Sequence, residues 1–175
     1  MFATIYLPNF YLQAAMRHQP ELCDKPVALI EEHERKPLII QPNEAAENAG
    51  IRKGMTPSQA LARSQRVVIK VRSPTQEKSI QEILLHYAFT LSPFVEDTAP
   101  GICTVQFTAC RNLSEKVCRV IEQLAECEIR SQAAIAPTSD ISFLAAHLAR
   151  RVLEIENAKE FLASLSIETL AIAAT

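Results

Sequence analysis

The chain opens on an apolar run, Phe2 to Leu7, stopped by Pro8. A short apolar run bounded by proline predicts a strand in the middle of a sheet. Phe10 to Arg17 reads as a helix ended before Pro20, and Pro26 to Ile30 as a second strand. Glu31 to Lys36 is a charged turn, and Pro37 to Gln41 completes a hairpin. Asn43 stands where it caps a short helix through Ala49, and Gly50 suits the end of that helix. Thr56-Pro57 sets a capping hydroxyl ahead of a proline at the first helical position, with the helix running to Arg63. Val67 to Val71 alternates β-branched residues around one charge, the pattern of a strand.

The second half is more regular. From Ser73-Pro74 to Leu91, the residues Ile80, Ile83, Leu84, Tyr87, Ala88 and Leu91 recur at spacings of three and four, so one face of a long helix is apolar. Pro93 ends it. Phe94 to Glu96 is extended, Pro100-Gly101 signals a turn, and Ile102 to Thr108 is a strand. Asn112 or Ser114 caps a helix whose buried stripe is Val117, Val120, Ile121 and Leu124. Gln132 to Ala136 is a strand, a helix follows from Pro137-Thr138-Ser139 through Val152, and Leu153 to Ile155 is a short last strand. Arg150 and Arg151 fit the cationic end of that helix. The order of elements gives an α+β fold: a mostly antiparallel sheet with helices on one face, and a small lobe inserted after the first helix.

Composition narrows what such a fold does. Of 175 residues, 48% are hydrophobic, enough for a packed core. The net charge of -2 argues against a domain that binds nucleic acid by bulk charge alone. No apolar run is long enough to cross a membrane, and the N-terminus shows no signal peptide. The five cysteines, Cys23, Cys103, Cys110, Cys118 and Cys127, are odd in number and have no CxxC pair, so buried thiols in a reducing cytoplasm are expected. His18, His33, His86 and His147 lack the spacing of metal ligands. Three glycines exclude a glycine-rich phosphate loop. Arg63, Arg66, Lys70 and Arg72 form a local basic cluster, either a DNA contact or a strand edge protected by charge.

Several stretches, in order and spacing, resemble the Y-family (translesion) DNA polymerases over nearly the whole chain. Ile5-Tyr6-Leu7-Pro8-Asn9-Phe10-Tyr11 is similar to the opening strand of that family, where Asp-x-Asp precedes two aromatics. The aromatics match at Phe10 and Tyr11, the second of which guards in the family against a ribose 2′-hydroxyl. The acids fall on Tyr6 and Pro8. Asn43 to Met55 resembles the fingers motif at Gly50, Ile51 and Met55, but its Tyr and Arg, which touch triphosphate in the family, fall on Glu44 and Glu47. Either these glutamates repel a triphosphate or they are solvated residues near a helix N-terminus. Ser92-Pro93-Phe94-Val95-Glu96 matches the lead-in to a catalytic Asp-Glu pair, which falls on Gly101 and Ile102. Ala134 to Ala146 resembles a strand-to-helix element that carries a lysine, and that lysine falls on Ala146.

The resemblance implies a polymerase palm in residues 1–25 and 73–160, a fingers lobe in 26–72, and in 161–175 the start of a link toward a thumb that a fragment of this length lacks. Polymerase chemistry needs two divalent ions about 3.5–4 Å apart, held by hard anionic oxygens. Tyr6, Gly101 and Ile102 supply none, so the expectation is no metal, no cofactor and no catalysis. Glu96 and Asp97 could rescue a magnesium site only by a register slip. Within the family the pattern is most similar to the ImuB branch, which implies a role in damage-induced mutagenesis. The partners it implies are a recombinase-like accessory protein, an error-prone polymerase and the sliding clamp, with DNA held largely by domains outside this chain. Two alternatives stand beside it: an active translesion polymerase with relocated ligands and Mg2+, and an unrelated α+β binding module.

Overall fold

In the computed structural model, which describes residues 1–31, 36–108, 111–166 and 169, the elements run β1 (Phe2–Tyr6), α1 (Phe10–Met16), β2 (Val27–Ile30), β3 (Ile39–Pro42), α2 (Glu44–Asn48), α3 (Pro57–Arg63), β4 (Val68–Val71), α4 (Pro74–Leu91), β5 (Val95–Ala99), β6 (Ile102–Gln106), α5 (Leu113–Glu126), β7 (Gln132–Ala136), α6 (Ser139–Leu148), β8 (Val152–Glu154) and α7 (Ala158–Ser164). They fall into two compact units, Met1–Pro8 with Gln81–Thr175, and Asn9–Ile80.

The first unit is built on a five-stranded sheet in the order β5-β6-β1-β7-β8. All its pairs are antiparallel except β7 with β8. β1 is central, as its apolar sequence requires, and buries both faces: Ala3 and Ile5 on one, Thr4 on the other. α6 lies on the Thr4 face, where Ala134 and Ala136 of β7 pack with its Ala145 and Ala146. The opposite row, Ala3, Ile5, Cys103, Val105, Ala133 and Ile135, is fully buried, and α5, packed along β7 and β8, turns inward its Val117, Val120, Ile121 and Leu124. Each such side chain is worth about 1.5–3 kcal/mol of burial. The helices therefore cover both faces of the sheet, a correction to the one-sided layer expected: β1 carries small or apolar residues at odd and even positions alike. On the α6 face, hydroxyls meet in a row: Thr98 to Thr104 at 2.8 Å, Thr104 to Thr4 at 3.3 Å, Thr4 to Ser142 at 2.8 Å. Buried hydroxyls need such partners.

The second unit has a three-stranded sheet, β3-β2-β4, with β2 antiparallel to β3 and parallel to β4. Alternation along β2 sorts its neighbours. Val27 and Leu29 pack with Leu12, Ala15 and Leu22, the α1 side. Ala28 packs with Ile39, Ala46, Ile51 and Ala60, the α2 and α3 side. Because α1 is half of one of these cores, the unit runs from Asn9 to Ile80, wider than the 26–72 lobe at both ends. The caps form as the sequence requires: Asn43 Oδ1 accepts from Ala46 N at 2.9 Å, and Thr56 with Gln59 makes a reciprocal capping box. Gly50 closes α2 with φ +81, its N–H on Glu47 O and that of Ile51 on Ala46 O, a Schellman turn that needs a left-handed residue.

Some local expectations differ. Asn112 precedes α5 in a left-handed conformation, and its side chain bonds Glu115 instead of capping the backbone. α6 stops at Leu148, with Ala149 extended, so Arg150 and Arg151 lie beyond it; Arg151 pairs with Glu122 instead. Of the described cysteines only Cys103 is buried, and Cys23 is exposed; Cys110 and His33 lie outside the described residues.

Candidate functional site

The register of β1 against β6 sets Tyr6 opposite Ile102. One residue on, Leu7 N–H donates to Gly101 O at 2.8 Å. The resemblance assigns carboxylates to Tyr6, Gly101 and Ile102, and all three meet at one end of the sheet. Gly101 turns the β5–β6 hairpin with φ +76. Gln81 of α4 holds this turn: its Oε1 accepts from Gly101 N at 2.7 Å, and its Nε2 donates to Asp97 Oδ1 at 2.6 Å.

The surroundings of Tyr6 are aromatic. Its ring stacks on His147 of α6 with centroids 4.2 Å apart, and Phe143 packs on the same imidazole at 4.7 Å. His147 Nδ1 lies 2.9 Å from Phe143 O. A carbonyl can only accept, so Nδ1 carries the proton. Ala146, at the lysine position of the resemblance, is fully buried, and Tyr6 packs against its cluster. Burial pushes the Tyr6 phenol up, so it stays protonated near neutrality. A neutral phenol, an isoleucine and a glycine do not fit a pair of magnesium ions, which take hard anionic oxygens.

Neighbouring acids do not fill the gap. Asp97 pairs with Cys103 across β6, in the row of Ile5, so it faces away from Tyr6. Its charge helps burial push the Cys103 thiol up to about 12. Glu96 pairs with Thr104 and shares the Tyr6 face, but it stands two strands across and two residues along, about 12 Å at standard strand spacings. Among the described residues, no three His, Cys, Asp or Glu side chains are placed to hold a metal ion.

In the second unit, Glu44 and Glu47 are exposed on α2. Phe10 is buried and meets Tyr11 edge-on at 5.3 Å. The Arg72 guanidinium lies 4.1 Å over the Tyr11 ring. It also grips Glu77 with two bonds of 2.9 and 2.8 Å and reaches Glu31 at 2.7 Å. These contacts, the Glu77 bonds foremost, push its pKa up. Lys70 donates to Gln19. The basic cluster is thus divided: Lys70 and Arg72 are engaged within the unit, while Arg63 and Arg66 are exposed. Sequence reasoning missed the stack on Tyr6, although Phe143 and His147 stand four apart on one helix face. It also missed Gln81 and the tie of Arg72 to Tyr11.

Comparison with known proteins gives consistent results. The model of the impB/mucB/samB family matches residues 5–149. DNA polymerase IV of Legionella pneumophila strain Corby is 26% identical over 173 residues, which is 92% of this chain and 48% of the relative. The same enzyme from strain Philadelphia 1 gives the same figures. The chain therefore spans about half the length of the curated relatives it matches. Among solved structures, an insertion ternary complex of Dbh DNA polymerase superposes with a TM-score of 0.84 at 14% identity, over 96% of this chain and 53% of that one. DinB from Sulfolobus solfataricus gives 0.82 at 14%, over 96% and 52%.

Proposed function

We propose, from the premise that this chain belongs to the impB/mucB/samB family of Y-family polymerase homologues, that it is a non-catalytic, polymerase-shaped subunit acting in DNA repair and damage-induced mutagenesis. Its first unit corresponds to the palm and its second to the fingers. One observation carries the reading: the β1–β6 register brings Tyr6, Gly101 and Ile102 together, and these are the positions to which the resemblance assigns the family's acids. Without anionic oxygens nothing holds the ions that stabilise the attacking and leaving oxygens. The outward glutamates of α2, Glu44 and Glu47, are also the wrong sign for a triphosphate.

In this reading the protein works by binding. DNA is one partner, held with the help of domains beyond this chain. By the likeness to the ImuB branch, a recombinase-like protein, an error-prone polymerase and the sliding clamp are the others. The place of work is the cytoplasm; no described helix is long and apolar enough to cross a membrane. The rival reading, an active polymerase with relocated ligands, draws on the 26% identity to named polymerases. Primer extension by the full-length parent, with magnesium and then manganese and an active translesion polymerase as control, decides between them. No extension with DNA binding intact is expected. Extension abolished by Glu96→Gln or Asp97→Asn overturns the reading.

A further inference from the structure

We infer that Tyr6, His147 and Phe143 form an aromatic surface that receives an unpaired DNA base, so that the chain binds DNA at this end of the sheet without a divalent cation. The inference rests on the reading of this site as a polymerase palm without its acids. It adds what the replacement residues do.

Three observations converge. First, the rings form a contiguous cluster, Tyr6 stacked on His147 at 4.2 Å and Phe143 tilted against His147 at 4.7 Å. All three are half-buried, so part of the stack reaches solvent. The imidazole is fixed by its Nδ1 bond to Phe143 O, and Tyr6 is fixed by its place in β1, so the surface is set before a ligand arrives. Second, the Tyr6 hydroxyl makes no hydrogen bond among the described residues, and the apolar cluster around Ala146 packs against its ring. The ring is fastened by packing and leaves its polar end unused. Third, the carboxylates at this end of the sheet stand off the rings: Asp97 faces the other way and is held by Gln81, and Glu96, on the Tyr6 face, is two strands away, about 12 Å at standard strand spacings.

The physical consequence is a change in what limits binding. In a site lined by carboxylates, DNA phosphates are repelled until cations bridge them. Here that repulsion is reduced to that of the more distant Glu96, and the lysine charge that would attract phosphate is missing. What is left is stacking. A base on an aromatic side chain strengthens binding about fivefold or more and tolerates any sequence. Binding at this surface should also depend only weakly on salt, because few counterions are released.

The test titrates this chain into a fluorescein-labelled primer–template with an unpaired template overhang, followed by anisotropy, in EDTA and in magnesium at matched ionic strength. Equal affinity in the two buffers, within about twofold, is expected. Phe143→Ala and Tyr6→Leu should weaken binding by about fivefold or more, and Tyr6→Phe should not. Tyr6→Asp should weaken it roughly tenfold in EDTA, the effect of one negative charge about 5 Å from a phosphate at an effective dielectric near 50, with recovery in magnesium. Circular dichroism checks that each variant is folded. Absence of binding, wild-type binding that needs magnesium, or a Tyr6→Asp variant that magnesium does not rescue overturns the inference. Primer extension on the same samples separates the two levels: extension with metal-independent binding sinks the non-catalytic reading alone.

Discussion

Arg72→Ala should be among the most damaging single changes in the second unit. Arg72 keeps 25% of its side chain exposed and Glu77 only 11%, while Glu31 keeps 44%. Removing the guanidinium strands the Glu77 carboxylate, which loses both forked bonds. An unpaired buried charge costs about 3–5 kcal/mol, and the residual exposure of Glu77 brings this to about 2 kcal/mol. The Glu31 arm adds under about 0.5 kcal/mol, since it is mostly solvated. The cation over Tyr11 adds about 0.5 kcal/mol. The sum is about 3 kcal/mol, which at a urea slope of about 2 kcal/mol per molar lowers the unfolding midpoint by about 1.5 M. Arg72→Lys keeps the charge but not the fork and should lose about half as much. A double-mutant cycle with Glu77→Gln should return a coupling of about 1.5 kcal/mol. Additive losses, or a midpoint shift under about 0.3 M, would show that the clamp is decoration.

Three further outcomes are expected. Asn43→Ala removes the bonds to Val27 N and Ala46 N and from its own Nδ2 to Lys25 O, and should cost about 2–3 kcal/mol by urea denaturation; Asn43→Asp should keep most of it. Glu128→Gly should stabilise by about 1 kcal/mol in thermal melts, because Glu128 closes α5 in a Schellman turn at φ +60, where a side chain is strained. The Cys103 thiol, raised from its ordinary 9.0 to about 12, gives an alkaline limb. Below pH 9 both states hold the proton; between 9 and 12 only the unfolded thiol loses it, so stability falls as pH rises, by up to about 1.4 kcal/mol per unit. Stability measured against pH should flatten in Cys103→Ala, and parallel curves would refute the assignment.

What could be read from the sequence was local. β7 and α4 carry their periodicity and stop signals in their own residues, and Asn43, Gly50 and Thr56 announce their caps. The Y-family resemblance survived because it too depends on order and spacing, and the palm-and-fingers fold stands. What was not legible depended on distant partners. Nothing in Leu12 or Ala15 says that they face Val27 and Leu29. Leu148-Ala149-Arg150 contains no glycine or proline to stop α6. The stack of Tyr6 on His147 joins the first strand to a late helix, and single-chain patterns do not encode such a meeting.

The row of hydroxyls across the sheet has a sense of direction. Ser142 gives its one hydrogen to Ser139 O, so in its contact with Thr4 it must accept. Thr4, having given its hydrogen to Ser142, accepts from Thr104, and Thr104 accepts from Thr98, as that bond is oriented. The carbonyl at the end of the row thus polarises three strands and a helix in one direction, each bond strengthening the next. Cutting the row is therefore not symmetrical. Losing Thr98 removes a solvent-facing first link, whereas Thr4→Val leaves buried Thr104 able to give its hydrogen only by reversing its bond with Thr98, which then turns to Glu96 O at 3.4 Å. The middle of the row, not its exposed end, locks β6, β1 and α6 into a single alignment.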